Sequence, residues 1–135
     1  MPIGGQSHVR IARPSRDLGA AERFWKDGLG LSVLWRAAGT DEPGHHALLM
    51  LGWPDASWHL ELVHDATVEP RPTVEDLLVV YLDEPVPDEL VARLQAHGGT
   101  RVASPNPYWN EWGVTVQDPD GYRLVLCVRD WSNSA

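Results

Sequence analysis

Imidazole, carboxylate and guanidinium groups recur at two-residue spacing in this chain. Within residues 57–64 (SWHLELVH) His59 and Glu61 stand two apart, and within residues 7–12 (SHVRIA) His8 and Arg10 do the same. Both stretches alternate polar and apolar residues, so each pair projects to one side of a strand. An imidazole beside a carboxylate can move a proton, and a larger set of such groups can ligate a divalent ion. Arg10 and Arg123 project from strand faces by the same alternation, and each can anchor an anionic group or pair with a carboxylate such as Glu61. Tyr108, Trp109 and Trp112 cluster in a Pro-rich stretch, where aromatic side chains line a pocket or pack a loop. The adjacent His45 and His46 point to opposite faces and read as a solvated strand start. Cys127, the single cysteine, lies inside an apolar strand and reads as a small buried hydrophobe. There is no Gly-rich phosphate loop, Cys-x-x-Cys pair or GxSxG nucleophile turn.

The elements that position these groups follow from pattern and punctuation. Residues 7–12 form a strand with Val9 and Ile11 on the covered face, and Pro14 ends it. Ser15 or Asp17 caps a helix over 18–27, with Gly28 or Gly30 supplying the left-handed C-terminal turn. Strands follow at 31–36, 45–51 and 57–64, with Trp25 and Trp58 in the core. Residues 65–73, with Pro70 and Pro72, show no apolar periodicity and read as a linker. Beyond them come a strand at 76–82, a helix opened by Pro87 with Asp88 and Glu89 in its first turn, a short strand at 100–103 and a loop at 104–112. Residues 113–117 and 122–128 then form a hairpin across Asp118-Pro119-Asp120-Gly121, where Pro and Gly suit a tight turn.

The order is therefore an internal repeat, strand-helix-three strands taken twice. Module one spans about 7–65, a linker about 66–74, and module two about 75–129, within one domain over 1–135. Neither module closes a core alone, so the two should pair to form a curved sheet around a cavity. The balance of 11 Lys+Arg against 19 Asp+Glu gives a formal charge of −8, which disfavours nucleic acid and anionic membranes as partners. With no apolar run long enough to span a bilayer and no signal-peptide pattern at the start, a cytoplasmic protein is expected.

The stretches HVRI, FWKDGLGLSVL, HLELV and DPDGYRLVL resemble the vicinal oxygen chelate superfamily, which includes glyoxalase I, bleomycin-resistance proteins, fosfomycin-resistance enzymes and extradiol dioxygenases. The resemblance runs from His8 to Val128 and implies an α+β fold of two paired βαβββ modules. In metal-dependent members each module supplies one ligand from its first strand and a carboxylate from its last. The resemblance places His8 and Glu61 at those positions in module one. In module two it places Leu77 and Val125, which cannot ligate a metal.

Two readings stay open on these grounds. In one, the protein binds a small, mainly apolar or aromatic molecule without a metal cofactor, using His8, Arg10, His59, Glu61, Tyr108, Trp109, Trp112 and Arg123. Glu61 would receive a polar or cationic group of the ligand, and His8 and Glu61 would hydrogen-bond each other or the ligand. In the other, it is an enzyme of lyase, isomerase or dioxygenase type, with a divalent metal at a reduced His8/His59/Glu61 site or with acid and base work by Glu61 and His8. The resemblance also implies a homodimer.

Overall fold

The computed structural model describes residues 2–134. Strand β1 (Val9–Pro14) leads into α1 (Leu18–Glu22), which widens into a π-helical turn over Arg23–Gly28 before β2 (Ser32–Ala37), β3 (Ala47–Gly52) and β4 (Trp58–His64). The second half repeats the order with β5 (Leu77–Tyr81), α2 (Asp88–Ala96), β6 (Thr100–Val102), a short helix α3 (Pro107–Trp112), β7 (Gly113–Gln117) and β8 (Arg123–Cys127). Each half makes a four-stranded mixed sheet, ordered β1-β4-β3-β2 and β5-β8-β7-β6, with the first and last strands of each module parallel. This is the α+β arrangement of paired βαβββ modules that the repeat predicts.

One apolar core serves both halves. Phe24 and Trp25 from the first helical segment lie among Leu49, Leu51, Leu60 and Leu62 of the first sheet and Leu94, Val116, Leu124 and Leu126 of the second half. Because strand side chains alternate, Leu60 and Leu62 facing this core send His59 and Glu61 to the opposite face, and Leu124 and Leu126 do the same for Arg123 and Val125. The halves are further joined by polar contacts at the 118–121 turn. Ser15 Oγ donates to Asp120 Oδ2 at 2.6 Å, Trp25 Nε1 to Asp118 Oδ2 at 3.0 Å, and the Tyr122 hydroxyl to the Pro14 carbonyl at 3.1 Å.

Several expectations need correction. Pro14 does end β1, but from within it, so the strand runs Val9–Pro14 rather than 7–12; Pro14 is paired with Val63, and Ser15 N donates to the Val63 carbonyl at 2.8 Å. A proline is tolerated there because β1 is an edge strand. Val9 and Ile11 are not covered: they are 52% and 39% exposed, since α1 packs against β3 and β4 while β1 stands at the sheet margin. Trp25 is fully buried, whereas Trp58 is half-buried and meets Trp53 edge-on at the core's margin. The stretch 104–112 is not all loop. Asn106 caps α3 by accepting the Tyr108 N–H at 3.0 Å, and Pro107 supplies the first helical residue.

Candidate functional site

On the outer face of the first sheet, β1 and β4 bring four predicted polar side chains together. Arg10 lies level with His59, and Ala12 with Glu61. His8 Nε2 and His59 Nδ1 are 2.7 Å apart and share one hydrogen bond, and their rings are tilted at 4.9 Å between centroids. Arg10 Nη1 lies 3.3 Å from Glu61 Oε1. His8 and Arg10 are exposed, while His59 and Glu61 are buried beneath them. Burial holds the His59 pKa below its usual value, helped by the nearby His8 and Arg10 and opposed by Glu61. His59 Nε2 is enclosed without a hydrogen-bond partner. His8 thus bonds His59 and not Glu61, and Glu61 is taken by Arg10.

The second sheet carries no equivalent cluster. Aligning the core leucines pairs Glu61 with Val125, and the ladders agree: Met50 and Ala12 flank Glu61 as Thr115 and Val79 flank Val125. Counting back along β5, Leu77 stands level with Arg10 rather than with His8. Glu75 takes the place of His8, but it lies exposed in the turn before β5, its backbone N–H donated to Thr73 Oγ1. Val125 is fully buried and so does not line an open cavity. Arg123, 9% exposed, shares its face, as does the buried Thr115.

The aromatic residues of α3 stand apart from the His8–Glu61 cluster in the contacts they make. Tyr108 meets Trp109 edge-on at 4.9 Å, and the Arg129 guanidinium lies over the Trp112 ring at 4.4 Å. A groove of about 340 Å³ runs beside α3, bordered by Arg101, Val102, Asn110 and Thr115. A larger groove of about 530 Å³ follows the β1 and β5 edges, bordered by Ile11, Arg13, Leu77 and Tyr122. His45 pairs with Glu42 and His46 with Asp65, both at the surface. Cys127 is buried, as its strand position predicts.

Known proteins divide at the same place as the two modules. A YycE-like N-terminal domain matches residues 9–63 and a YycE-like C-terminal domain residues 75–128. The protein YycE of Bacillus subtilis (strain 168) is 37% identical over 125 residues, covering 89% of this chain and 86% of its own. The chain belongs to the YycE-like family. Within the vicinal oxygen chelate superfamily, this YycE-like chain also resembles the crystal structure of Bacillus subtilis YycE at a TM-score of 0.79, with 31% identity over 96% of this chain and 95% of that one. TnmS3, an antibiotic-binding protein from Streptomyces sp. CB03234, is 27% identical with a TM-score of 0.59, covering 93% of this chain and 98% of its own. The fosfomycin-resistance protein FosX of Mesorhizobium loti, at 15% identity and a TM-score of 0.68, shares the fold.

The divalent ion used by metal-dependent superfamily members does not fit this side-chain set. Among the described residues no three His, Cys, Asp or Glu side chains group so as to hold a metal ion. The first module's carboxylate is paired with Arg10, its two imidazoles bond each other, and Val125 replaces the second carboxylate. Sequence reasoning missed Thr115, whose enclosed hydroxyl has no partner. A threonine within a β-branched strand gives no signal of such a role. It also read Asp118 and Asp120 only as turn residues, although both are buried at the contact between halves.

Proposed function

We propose that this YycE-like protein binds a small, mainly apolar or aromatic molecule without a resident metal, acting as a cytoplasmic homodimer. The observation that carries the reading is the pairing of Glu61 with Arg10 opposite an aliphatic counterpart, Val125: the fold's usual ligand positions have become one neutralised pair and one hydrocarbon. The Arg10 guanidinium occupies the Glu61 oxygen that a divalent ion would need and brings positive charge beside it. The likeness to an antibiotic-binding protein supports binding as the activity. Exposed Val9, Ile11 and Trp35 support a second copy as the partner.

Protein purified without added metal should hold less than stoichiometric transition metal by elemental analysis, and chelator should leave its melting temperature unchanged, since a bound ion stabilises the native state by mass action. Light scattering on the same preparation should report a dimer. About one equivalent of metal, lost together with thermal stability in His59→Ala, would replace this reading with that of a metal-dependent enzyme at His8, His59 and Glu61.

A further inference from the structure

Arg123 is the one buried arginine among the described residues. The exposed Arg10, Arg16 and Arg36 pair with Glu61, Asp120 and Glu22, the exposed Arg93 donates to the Gly28 carbonyl, and the half-buried Arg13, whose Nη1 is likewise enclosed without an acceptor, has the Tyr122 ring beneath it at 4.7 Å. Arg123 is 9% exposed, its Nη1 is closed off without an acceptor, and it forms no ion pair among the described residues. An enclosed guanidinium nitrogen without an acceptor, on a buried side chain with no opposing charge, is a costly arrangement for a fold to hold.

A second unmet group lies on the same face. Thr115 is opposite Val125 on the β7–β8 ladder and therefore diagonal to Arg123, within reach of its long side chain. Its hydroxyl is enclosed and unpartnered. Thr115 also borders the groove of about 340 Å³ beside α3, with Val102 and Ala103 as apolar neighbours and Arg101 at its margin. A hydroxyl at the groove and a cation diagonal to it on the same sheet face, both lacking acceptors, call for the same missing partner: an oxyanion.

We propose that the second sheet holds an anion subsite, in which Arg123 and Thr115 receive the acidic group of an aromatic ligand whose apolar body lies in the groove beside α3. The ligand class is an aromatic acid with a carboxylate, sulfonate or phosphonate group, and not the cationic ligand that a free Glu61 would suggest. The planar guanidinium offers paired N–H donors to two oxygens of such a group, and the Thr115 hydroxyl donates to one of them. The anion would supply the charge that Arg123 lacks.

This inference rests on the binding reading above, and the test separates the two. The probes are 8-anilinonaphthalene-1-sulfonate and N-phenyl-1-naphthylamine, the same aromatic framework with and without the acid, both followed by their emission on binding. The native protein should bind the sulfonate about tenfold more tightly than the neutral amine. Arg123→Met should lose that margin while leaving the amine within about twofold, and Thr115→Val should lose part of it. Because an unpaired enclosed charge is replaced by hydrocarbon, the melting temperature of Arg123→Met should stay level or rise. A fall in melting temperature, or a sulfonate affinity unchanged in both variants, would overturn the subsite. If the amine binds the native protein as well as the sulfonate, the subsite falls and the binding reading stands. If neither probe binds, both fall.

Discussion

Asp118 shows how much one side chain does at the junction of the halves. Its Oδ1 accepts the backbone N–H groups of Asp120 and Tyr122 at 2.9 and 2.8 Å, and its Oδ2 accepts Trp25 Nε1 from the other half. Burial pushes its carboxyl up to about 6, against the downward pull of the hydrogen bonds from Tyr122 and Trp25. In the unfolded chain it titrates near its usual 3.8, so between that value and about 6 the folded chain binds more protons. This group's contribution to stability is therefore largest in acid and falls as pH rises through that window. His59 works the other way: its lowered pKa gives a contribution that is lost as pH falls below the usual 6.5. In Asp118→Asn one side of the amide must face a donor with a donor, which should cost roughly 1–3 kcal/mol. The titration of His59 cancels between the two proteins. Urea denaturation across about pH 4 to pH 7 should show the gap between native and variant narrowing toward neutrality. A gap that is constant or widens would mean that Asp118 is not the group titrating there.

At the level of elements, legibility followed the length and regularity of the pattern. The strands 45–51 and 57–64 and the 118–121 turn were plain because alternation or Pro-Asp-Gly punctuation persisted over enough residues to define a face. Gly30 and Gly121 both adopt positive φ where a helix stop and a turn were expected. The π-helical turn at Arg23–Gly28 had no such signal, since its hydrophobic residues also suit an ordinary helix. Helix α3 was hidden for a different reason: Pro105 and Pro107 read as loop residues, and six residues give less than two turns of periodicity. Its one legible mark was Asn106 before Pro107, a cap and a first-turn proline. Removing that cap in Asn106→Ala should cost about 1 kcal/mol locally. Hydrogen exchange at residues 108–112 should accelerate about fivefold while that of β8 is unchanged. Equal acceleration in both would show that α3 opens only with the whole protein.

The pairing of the halves was legible from the repeat, but the closeness of their contact was not, because it turns on where side chains are missing. Gly99, at the end of the second helix's connection, sits where an added Cβ would lie 2.7 Å from the Leu94 carbonyl oxygen, 2.7 Å from Val116 Cγ1 and 2.8 Å from Phe24 Cε1. Phe24 belongs to the first module and the other two to the second, so this glycine lets one half's aromatic ring rest on the other's backbone. The polar cluster was partly legible: alternation placed Arg10, His59 and Glu61 on one face and offered Glu61 as a partner for Arg10 or Arg123, but not which arginine would take it and which would be left without an acceptor. With Phe24, Trp25, Leu60 and Leu124 in one core, the modules should melt together. Gly99→Ala should therefore destabilise the whole by about 1–3 kcal/mol through overpacking. Calorimetry should show one transition, lowered by about 3–10 °C, with both sheets lost at once. Two separate transitions, or a variant that melts with the native protein, would mean that the halves are stable apart and that Gly99 does not set how closely they pack.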